Sequence, residues 1–279
     1  MDRISQQIEE ASRRAASAAA TTKTSAIARR ETVSAFAAPS SSARLPDGQP
    51  LELNSDDLSL REELVINGGQ SQFAEVYRLM RTRVLQKMQQ NNWFSLGVTS
   101  PNPKAGKTTT SLNLSLAIAR DPGFRSVLLE CDFRRPSAHR SLSLEPEVGL
   151  IEYLQCEAEL TDILYSDGSP NWRFLPAGPV PYEVPSELFN SNRMRELLQV
   201  IRQEQDDTIA IVDLPPSSVG DDVLALSVEL DALLLVVEDG VTDERELQNA
   251  LDSLAENNIL GVVLNKAEEA ANFVYSYYD

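Results

Sequence analysis

The sequence predicts an α/β fold in which a mostly parallel sheet is covered by helices. Short, continuous apolar runs alternate with helix-like segments between residues 71 and 266. Continuous apolar runs of this kind are typical of strands that are buried on both faces. The first run also leads into a loop that ends Gly106-Lys107-Thr108 and opens a helix-like segment. A strand, a loop of this kind and a helix together form a phosphate-binding unit.

The predicted elements follow one another in a regular order. The first is a helix over Gln72–Gln90, where apolar residues recur at helical spacing. The predicted strands are Trp93–Thr99, Ser126–Cys131, Trp172–Pro176, Thr208–Asp213, Ala232–Val237 and Ile259–Leu264. The helices between them are Thr108–Ala119, Gly149–Gln155, Ser186–Glu204, Val223–Glu229 and Glu244–Asn257. Parallel strands with right-handed crossovers bind ligands at the carboxyl edge of their sheet.

The chain divides into three predicted parts. Residues 1–70 are expected to hold a short N-terminal helix and a flexible linker, because a stretch rich in Ala, Ser, Thr and Arg cannot bury a core. Residues 71–266 form the predicted P-loop domain. Residues 267–279 form a tail that contains three closely spaced tyrosines.

Composition excludes several classes of function. The net charge of −17 argues against binding to nucleic acid. His139 is the only histidine and has no partner pattern, and there are two cysteines, so the composition disfavours histidine-based triads and zinc clusters and excludes a disulfide framework. The chain has no apolar run long enough for a transmembrane segment of its own, and we expect a cytoplasmic protein.

The loop before the second helix carries the most specific signal. Its backbone N–H groups and the helix N-terminus are expected to bind phosphate oxygens. Lys107 then reaches the β- and γ-phosphates, and the Thr108 hydroxyl binds Mg²⁺. The first glycine of the usual pattern is replaced by Pro101. The residues assigned to phosphate binding are Pro103, Lys104, Ala105, Gly106, Lys107, Thr108 and Thr109.

Two further strands end in acidic residues. At the end of the strand at 126–131, Glu130, Asp132 and Arg134 alternate, so they are expected to share one side of an extended strand near the P-loop. Asp132 would polarise an attacking hydroxyl or hold a metal-bound water; the alternative is a surface turn with an ion pair. Asp213 ends another apolar strand and would hold Mg²⁺ through its water shell; the alternative is a helix-capping aspartate.

These motifs resemble those of a known family. Gly106-Lys107-Thr108, Glu130-x-Asp132-x-Arg134 and Asp213-x-Pro215-Pro216 are similar to the Walker A, Walker A′ and Walker B motifs of bacterial tyrosine kinases, which are related to MinD/ParA-type ATPases. The resemblance runs from about Phe73 to the C-terminus. It implies a P-loop NTPase fold of the MinD/ParA-like type. It also implies an ATP- and Mg²⁺-dependent tyrosine autokinase that regulates capsule or exopolysaccharide biosynthesis and export.

The resemblance also implies roles for individual residues. Catalysis would depend on Lys107, Asp132, Arg134 and Asp213. Metal contacts would come from Thr108, Asp132 and Asp213, and Asn265 would lie beside the base. Tyr275, Tyr277 and Tyr278 would accept phosphate, although an aromatic latch is an alternative for this tail.

Assembly is a further implication. Glu75, Arg78 and Arg81 match the family's Glu-x-x-Arg-x-x-Arg oligomerisation motif and would join subunits in a ring; the alternative is a solvated helix face. The implied partner is a membrane-embedded polysaccharide chain-length or activator protein, which would hold this chain at the cytoplasmic side of the inner membrane.

Two departures bear on activity. Glu130 stands where the family has aspartate, which leaves open an ATP-binding ATPase or pseudokinase switch that does not phosphorylate tyrosine. Asn102 stands where the ATPase relatives carry their signature lysine. That second departure, together with the tyrosine tail, favours the kinase.

Overall fold

A computed structural model describes residues 45–51, 72–179, 186–204 and 207–267. The predicted N-terminal helix, most of the linker and the tyrosine tail lie outside these residues. Within them the helices are α1 Gln72–Asn91, α2 Lys107–Ala119, α3 Ala138–Ser141, α4 Leu150–Leu154, α5 Leu160–Ile163, α6 Asn192–Glu204, α7 Asp222–Ser227 and α8 Glu244–Ser253. A 3₁₀ helix at Ser186–Asn190 precedes α6, so the helix predicted over Ser186–Glu204 is two helices.

The described part of the chain contains a single sheet. Its strands are β1 Gln49–Pro50, β2 Ser95–Thr99, β3 Arg125–Glu130, β4 Tyr165–Ser166, β5 Trp172–Leu175, β6 Thr208–Asp213, β7 Ala232–Glu238 and β8 Ile259–Asn265. They lie in the order β1-β4-β5-β3-β6-β2-β7-β8. Of these neighbouring pairs, β4–β5 is antiparallel and the others are parallel. The predicted mostly parallel α/β sheet is therefore confirmed.

Successive residues of one strand enter two different cores, as the pleat requires. Leu128 packs into the core that contains residues of α1 and α2, including Met88 and Leu112. Its neighbours Val127 and Leu129 pack into the opposite core, with residues of α4, α6, α7 and α8. Both faces of the sheet are thus covered, which explains the continuous apolar runs in the sequence.

The strand order decides which acidic residues meet. Strand β6 lies between β2, which leads into the P-loop, and β3, which leads into Asp132. Asp213 at the end of β6 is in register with Val98 on one side and Glu130 on the other. The three loops that follow these strands therefore meet at one edge of the sheet.

Two kinds of short element were missed by the sequence analysis. Strand β1 pairs in parallel with β4, although its residues were assigned to the linker. Helices α3 and α5 have four residues each, too few to show a helical period. None of the helices in the described ranges combines the length and apolar character needed to cross a membrane.

Candidate active site

The P-loop turns sharply at its last glycine. Gly106 has φ 95° and caps the N-terminus of α2. A side chain at this position would meet the Asn265 amide, because a Cβ would lie 2.0 Å from its Nδ2. Glycine is therefore required both by the positive φ and by the close approach.

The outer side of the P-loop is held by the residues that follow β8. Asn265 Nδ2 donates to the Ala105 carbonyl at 2.8 Å, and Lys266 Nζ donates to the Lys104 carbonyl at 2.9 Å. Lys266 also pairs with Glu238 at 2.9 Å. The resemblance implied that Asn265 lies beside the base. In this structure its amide contacts the P-loop backbone, so its first role here is to hold the loop.

Lys107 lies between the two acidic strand ends. Its Nζ is 2.6 Å from Asp132 Oδ2 and 3.8 Å from Asp213 Oδ1, and it donates to Thr108 Oγ1 at 3.2 Å. The lysine is 6% exposed. Burial alone would lower the Lys107 pKa, but the charges of Asp213 and Asp132 outweigh burial and raise the pKa above its ordinary value. Lys107 is therefore a permanent cation at this site.

Asp213 is fully buried at the end of β6. Its Oδ1 accepts from the Ser111 hydroxyl at 3.1 Å, whereas its Oδ2 has no hydrogen-bond partner among the described residues. Burial raises the pKa of Asp213 to about 6, against the opposing effect of the Lys107 charge. An orphaned buried oxygen of this kind marks a place where a further ligand belongs.

A magnesium ion fits these residues. Glu130, Asp132 and Asp213 are buried together with one lysine, which leaves an excess of negative charge. The described residues contain no cluster of three acidic, histidine or cysteine side chains that would enclose a metal ion. Mg²⁺ needs no such cage, since it binds through one or two carboxylates together with phosphate oxygens and water. Asp213, Asp132 and the Thr108 hydroxyl are the side chains that would hold it.

The alternating residues Glu130, Asp132 and Arg134 at the end of β3 do not face one way, so that prediction is wrong. Asp132 contacts Lys107, as described above. The Arg134 guanidinium instead binds the carboxylate of Asp222 at the start of α7, at 2.5 Å. The Glu130 carboxylate binds backbone N–H groups and the ring of His139. The chain turns after Asp132, and the turn breaks the alternation that an extended strand would impose.

Several contacts at the site are not predicted by the sequence. Ser111 lies one helical turn after Lys107, and this spacing is a signal that would have placed it on the same face of α2. Asp222 has no such signal, because its partner arginine is distant in the sequence. His139 has none either, because a loop without helical or strand period separates it from its partner glutamate. Cys131 is buried, as expected of a small apolar residue in a strand.

The proposed oligomerisation residues lie on α1 and differ in exposure. Arg78 is exposed and Glu75 is partly exposed, and the two pair with each other at 3.1 Å. Arg81 donates to the Ala117 carbonyl at 3.2 Å and lies 3.6 Å from Asp121 of its own chain. Arg81 is therefore engaged within the subunit, while Glu75 and Arg78 face solvent.

Fold and site together define a P-loop nucleotide-binding protein with two acidic strand ends beside its lysine. The chain is 32% identical over 180 residues to the tyrosine-protein kinase CpsD of Streptococcus pneumoniae serotype 4, covering 63% of this chain and 78% of that protein. It is 28% identical over 230 residues to the tyrosine-protein kinase YwqD of Bacillus subtilis, covering 82% and 95%. The chain belongs to the family of bacterial tyrosine-protein kinases.

Two other comparisons extend this result. The kinase domain of Escherichia coli tyrosine kinase ETK superposes with a TM-score of 0.67 and 26% identity, over 79% of this chain and 91% of that one. The succinoglycan biosynthesis transport protein ExoP of Rhizobium meliloti is 29% identical over 220 residues, which cover 77% of this chain but only 28% of that protein. No protein-family profile matches the chain.

Proposed function

We propose that this chain transfers the γ-phosphoryl group of ATP, bound with Mg²⁺, to the tail residues Tyr275, Tyr277 and Tyr278. The observation that carries the proposal is the contact of Lys107 with both Asp132 and Asp213. One cation and two carboxylates at the mouth of a P-loop are the groups that phosphoryl transfer from ATP requires. The tail lies outside the described residues, and its role rests on the family resemblance.

Each residue has a separate task in this proposal. The P-loop backbone and the N-terminus of α2 bind the phosphate oxygens, and Lys107 compensates the negative charge that they carry. Asp213 would hold Mg²⁺ through its water shell. Asp132 accepts the proton of the incoming tyrosine hydroxyl or orients that hydroxyl. A bound Mg²⁺ would neutralise part of the negative charge of the phosphates.

The biological setting is proposed from the relatives. ExoP is named as a succinoglycan biosynthesis transport protein, so we assign this kinase to the control of capsule or exopolysaccharide assembly. Its partner would be a membrane-embedded chain-length or activator protein. That partner would hold the chain at the cytoplasmic face of the inner membrane.

Assembly into a ring is proposed through α1. Glu75 and Arg78 lie beside Val76 and Leu79, two apolar side chains that are 42% and 52% exposed. An exposed ion pair contributes only about 0–1 kcal/mol, so apolar contact must supply much of the interface. Arg81 is left out of this surface because it binds within its own subunit.

Replacing Glu75, Arg78 and Leu79 by alanine should convert the ring to monomers. Alanine favours the helix, so α1 should persist while the charged and apolar contacts are lost. Light scattering at moderate salt would measure the assembly. The matched control removes another ion pair, Arg193 with Glu159, and should leave the assembly intact. If the wild type stays monomeric in the presence of ATP, Mg²⁺ and its membrane partner, the proposed ring assembly is wrong.

Phosphoryl transfer is expected to run between subunits. From Ala267 to Tyr278 the chain can span at most roughly 40 Å when extended, so reach alone does not forbid transfer within one subunit. Asn265 ends β8 against the P-loop, so the tail would have to reverse over the nucleotide to reach its own γ-phosphate. A neighbour in a ring can present its tail without that reversal.

Mixing two variants tests this route. One subunit carries Lys107→Met with an intact tail, and the other is active but has Phe at Tyr275, Tyr277 and Tyr278. Phosphotyrosine should appear on the inactive subunit. If that subunit stays unlabelled and wild-type labelling is independent of concentration, transfer occurs within one chain.

A further inference from the structure

Glu130 is a fully buried carboxylate whose hydrogen-bonding capacity is filled by the protein. Its Oε1 accepts from the backbone N–H of Ala138 at 2.6 Å and of His139 at 3.4 Å. Its Oε2 accepts from the backbone N–H of Ala177 at 3.0 Å and lies 2.9 Å from Nδ1 of His139. A carboxylate has about four lone-pair sites, so four donors leave none for a metal ion or a substrate proton.

These contacts join three segments of the chain. Glu130 is the last residue of β3, Ala138 begins α3, and Ala177 follows β5. The loop 131–137 leaves from Glu130 and returns to its side chain, so the carboxylate ties the two ends of the loop together. That loop carries Asp132, the residue in contact with Lys107.

Other contacts fix the same loop along its length. The Cys131 N–H donates to the Asp213 carbonyl at 2.9 Å. The Phe133 ring is buried and stacks on Phe189 with centroids 4.9 Å apart. Asp132 Oδ1 accepts from the Arg135 N–H at 3.1 Å, which leaves Oδ2 for Lys107. The contacts of the Glu130 carboxylate add to these and hold the two ends of the loop together.

We propose that Glu130, with His139, is a positioning residue for phosphoryl transfer. It holds loop 131–137 so that the Asp132 carboxylate stays against Lys107, and it does not itself touch nucleotide, metal or tyrosine. The extra methylene of glutamate is needed for these contacts, because the shorter side chain of aspartate would move the carboxylate about 1.5 Å away from its backbone donors. This inference rests on the proposed kinase function.

Activity of the folded protein tests the proposal. Glu130→Gln keeps the shape but turns an NH₂ group toward donors. We expect kcat for tyrosine phosphorylation to fall by roughly 10–100-fold, the usual effect of disturbing an outer-shell partner, with KM for ATP nearly unchanged. The kcat of Glu130→Asp should fall by a similar factor. A wild-type kcat in Glu130→Gln, or a gain in Glu130→Asp, overturns the proposal.

The control is a carboxylate with the same chemistry at the other edge of the sheet. Asp231 Oδ2 accepts from the backbone N–H groups of Phe94 and Ser95, at 2.9 and 3.2 Å. Asp231→Asn should lower stability but leave kcat unchanged. If Glu130→Gln does not fold, His139→Ala replaces it, because His139 is at the edge of the network and its side chain is 13% exposed. A wild-type kcat in His139→Ala then overturns the proposal.

Hydrogen exchange separates this proposal from the kinase function. Amides of residues 131–138 should exchange faster in Glu130→Gln than in wild type, whether or not the protein phosphorylates tyrosine. Unchanged exchange there contradicts the positioning role. If the wild type makes no phosphotyrosine but exchange is faster in Glu130→Gln, the proposed kinase function is refuted. The proposed role of Glu130 in holding the loop then still stands.

Discussion

Lys107→Met should abolish tyrosine phosphorylation, with a loss of at least roughly 10²–10³-fold in kcat. The lysine is the only cation in contact with both Asp132 and Asp213 among the described residues, so its loss removes the charge that faces the phosphates. Labelling with ATP and Mg²⁺ followed by phosphotyrosine detection measures the effect. Wild-type labelling in this variant would refute the assignment of the P-loop.

The same variant should lose stability when no metal is present. Two buried carboxylates would then lack their shared partner, and breaking a buried ion pair from one side costs roughly 3–5 kcal/mol. Lys87→Met is the matched control, since Lys87 is exposed on α1 and donates only to the Leu260 carbonyl in the described contacts. It should change activity little.

Asp213→Asn should show the opposite effect on stability together with a loss of activity. Transfer should fall by at least about 10²-fold, and far more than the affinity for ATP, because the amide cannot orient the metal ion's water shell with a full charge.

The stability of the same variant follows from burial. The native fold holds the Asp213 pKa at about 6, above its ordinary value. A raised carboxyl pKa means that the ionised group lowers native stability progressively as the pH rises from 3.8 to about 6, and the full cost remains above that pH. An amide at this position would remove the cost, so the variant should be more stable by on the order of 1–3 kcal/mol at pH 8 and the gain should shrink toward pH 5.

Denaturation in the presence of a chelator, at both pH values, measures this difference. Asp231→Asn is the control, because its carboxylate is hydrogen-bonded to backbone N–H groups and its removal should lower stability. An Asp213→Asn variant that loses stability at pH 8, or keeps full activity, contradicts the role given to Asp213.

Much of the fold was predictable because it depends on local patterns. The six long strands and the helices α1, α2 and α8 were predicted from apolar runs and helical periods, and their bounds differ from the observed ones by a few residues at most. The P-loop and the strand-terminal Asp213 were also visible, since each depends on neighbours in the sequence. Strand β6 between β2 and β3 was not predicted, because strand order is not encoded in periodicity.

The side-chain partners were harder to predict. Glu130 binds Ala177, forty-seven positions away, and Arg134 binds Asp222, eighty-eight positions away. Such pairs depend on the way distant loops meet at the sheet edge. The partner of Arg81 was also not predictable from the sequence, because the Ala117 carbonyl belongs to another helix. Motif spacing identified the residues, but only the packing shows which of them face the nucleotide site.

The most direct test of the kinase function is to incubate purified protein with ATP and Mg²⁺ and to map phosphotyrosine by mass spectrometry. We predict phosphate on Tyr275, Tyr277 and Tyr278, and none of it in Lys107→Met. Hydrolysis of ATP without any phosphotyrosine would contradict the account and would make the protein a nucleotide switch.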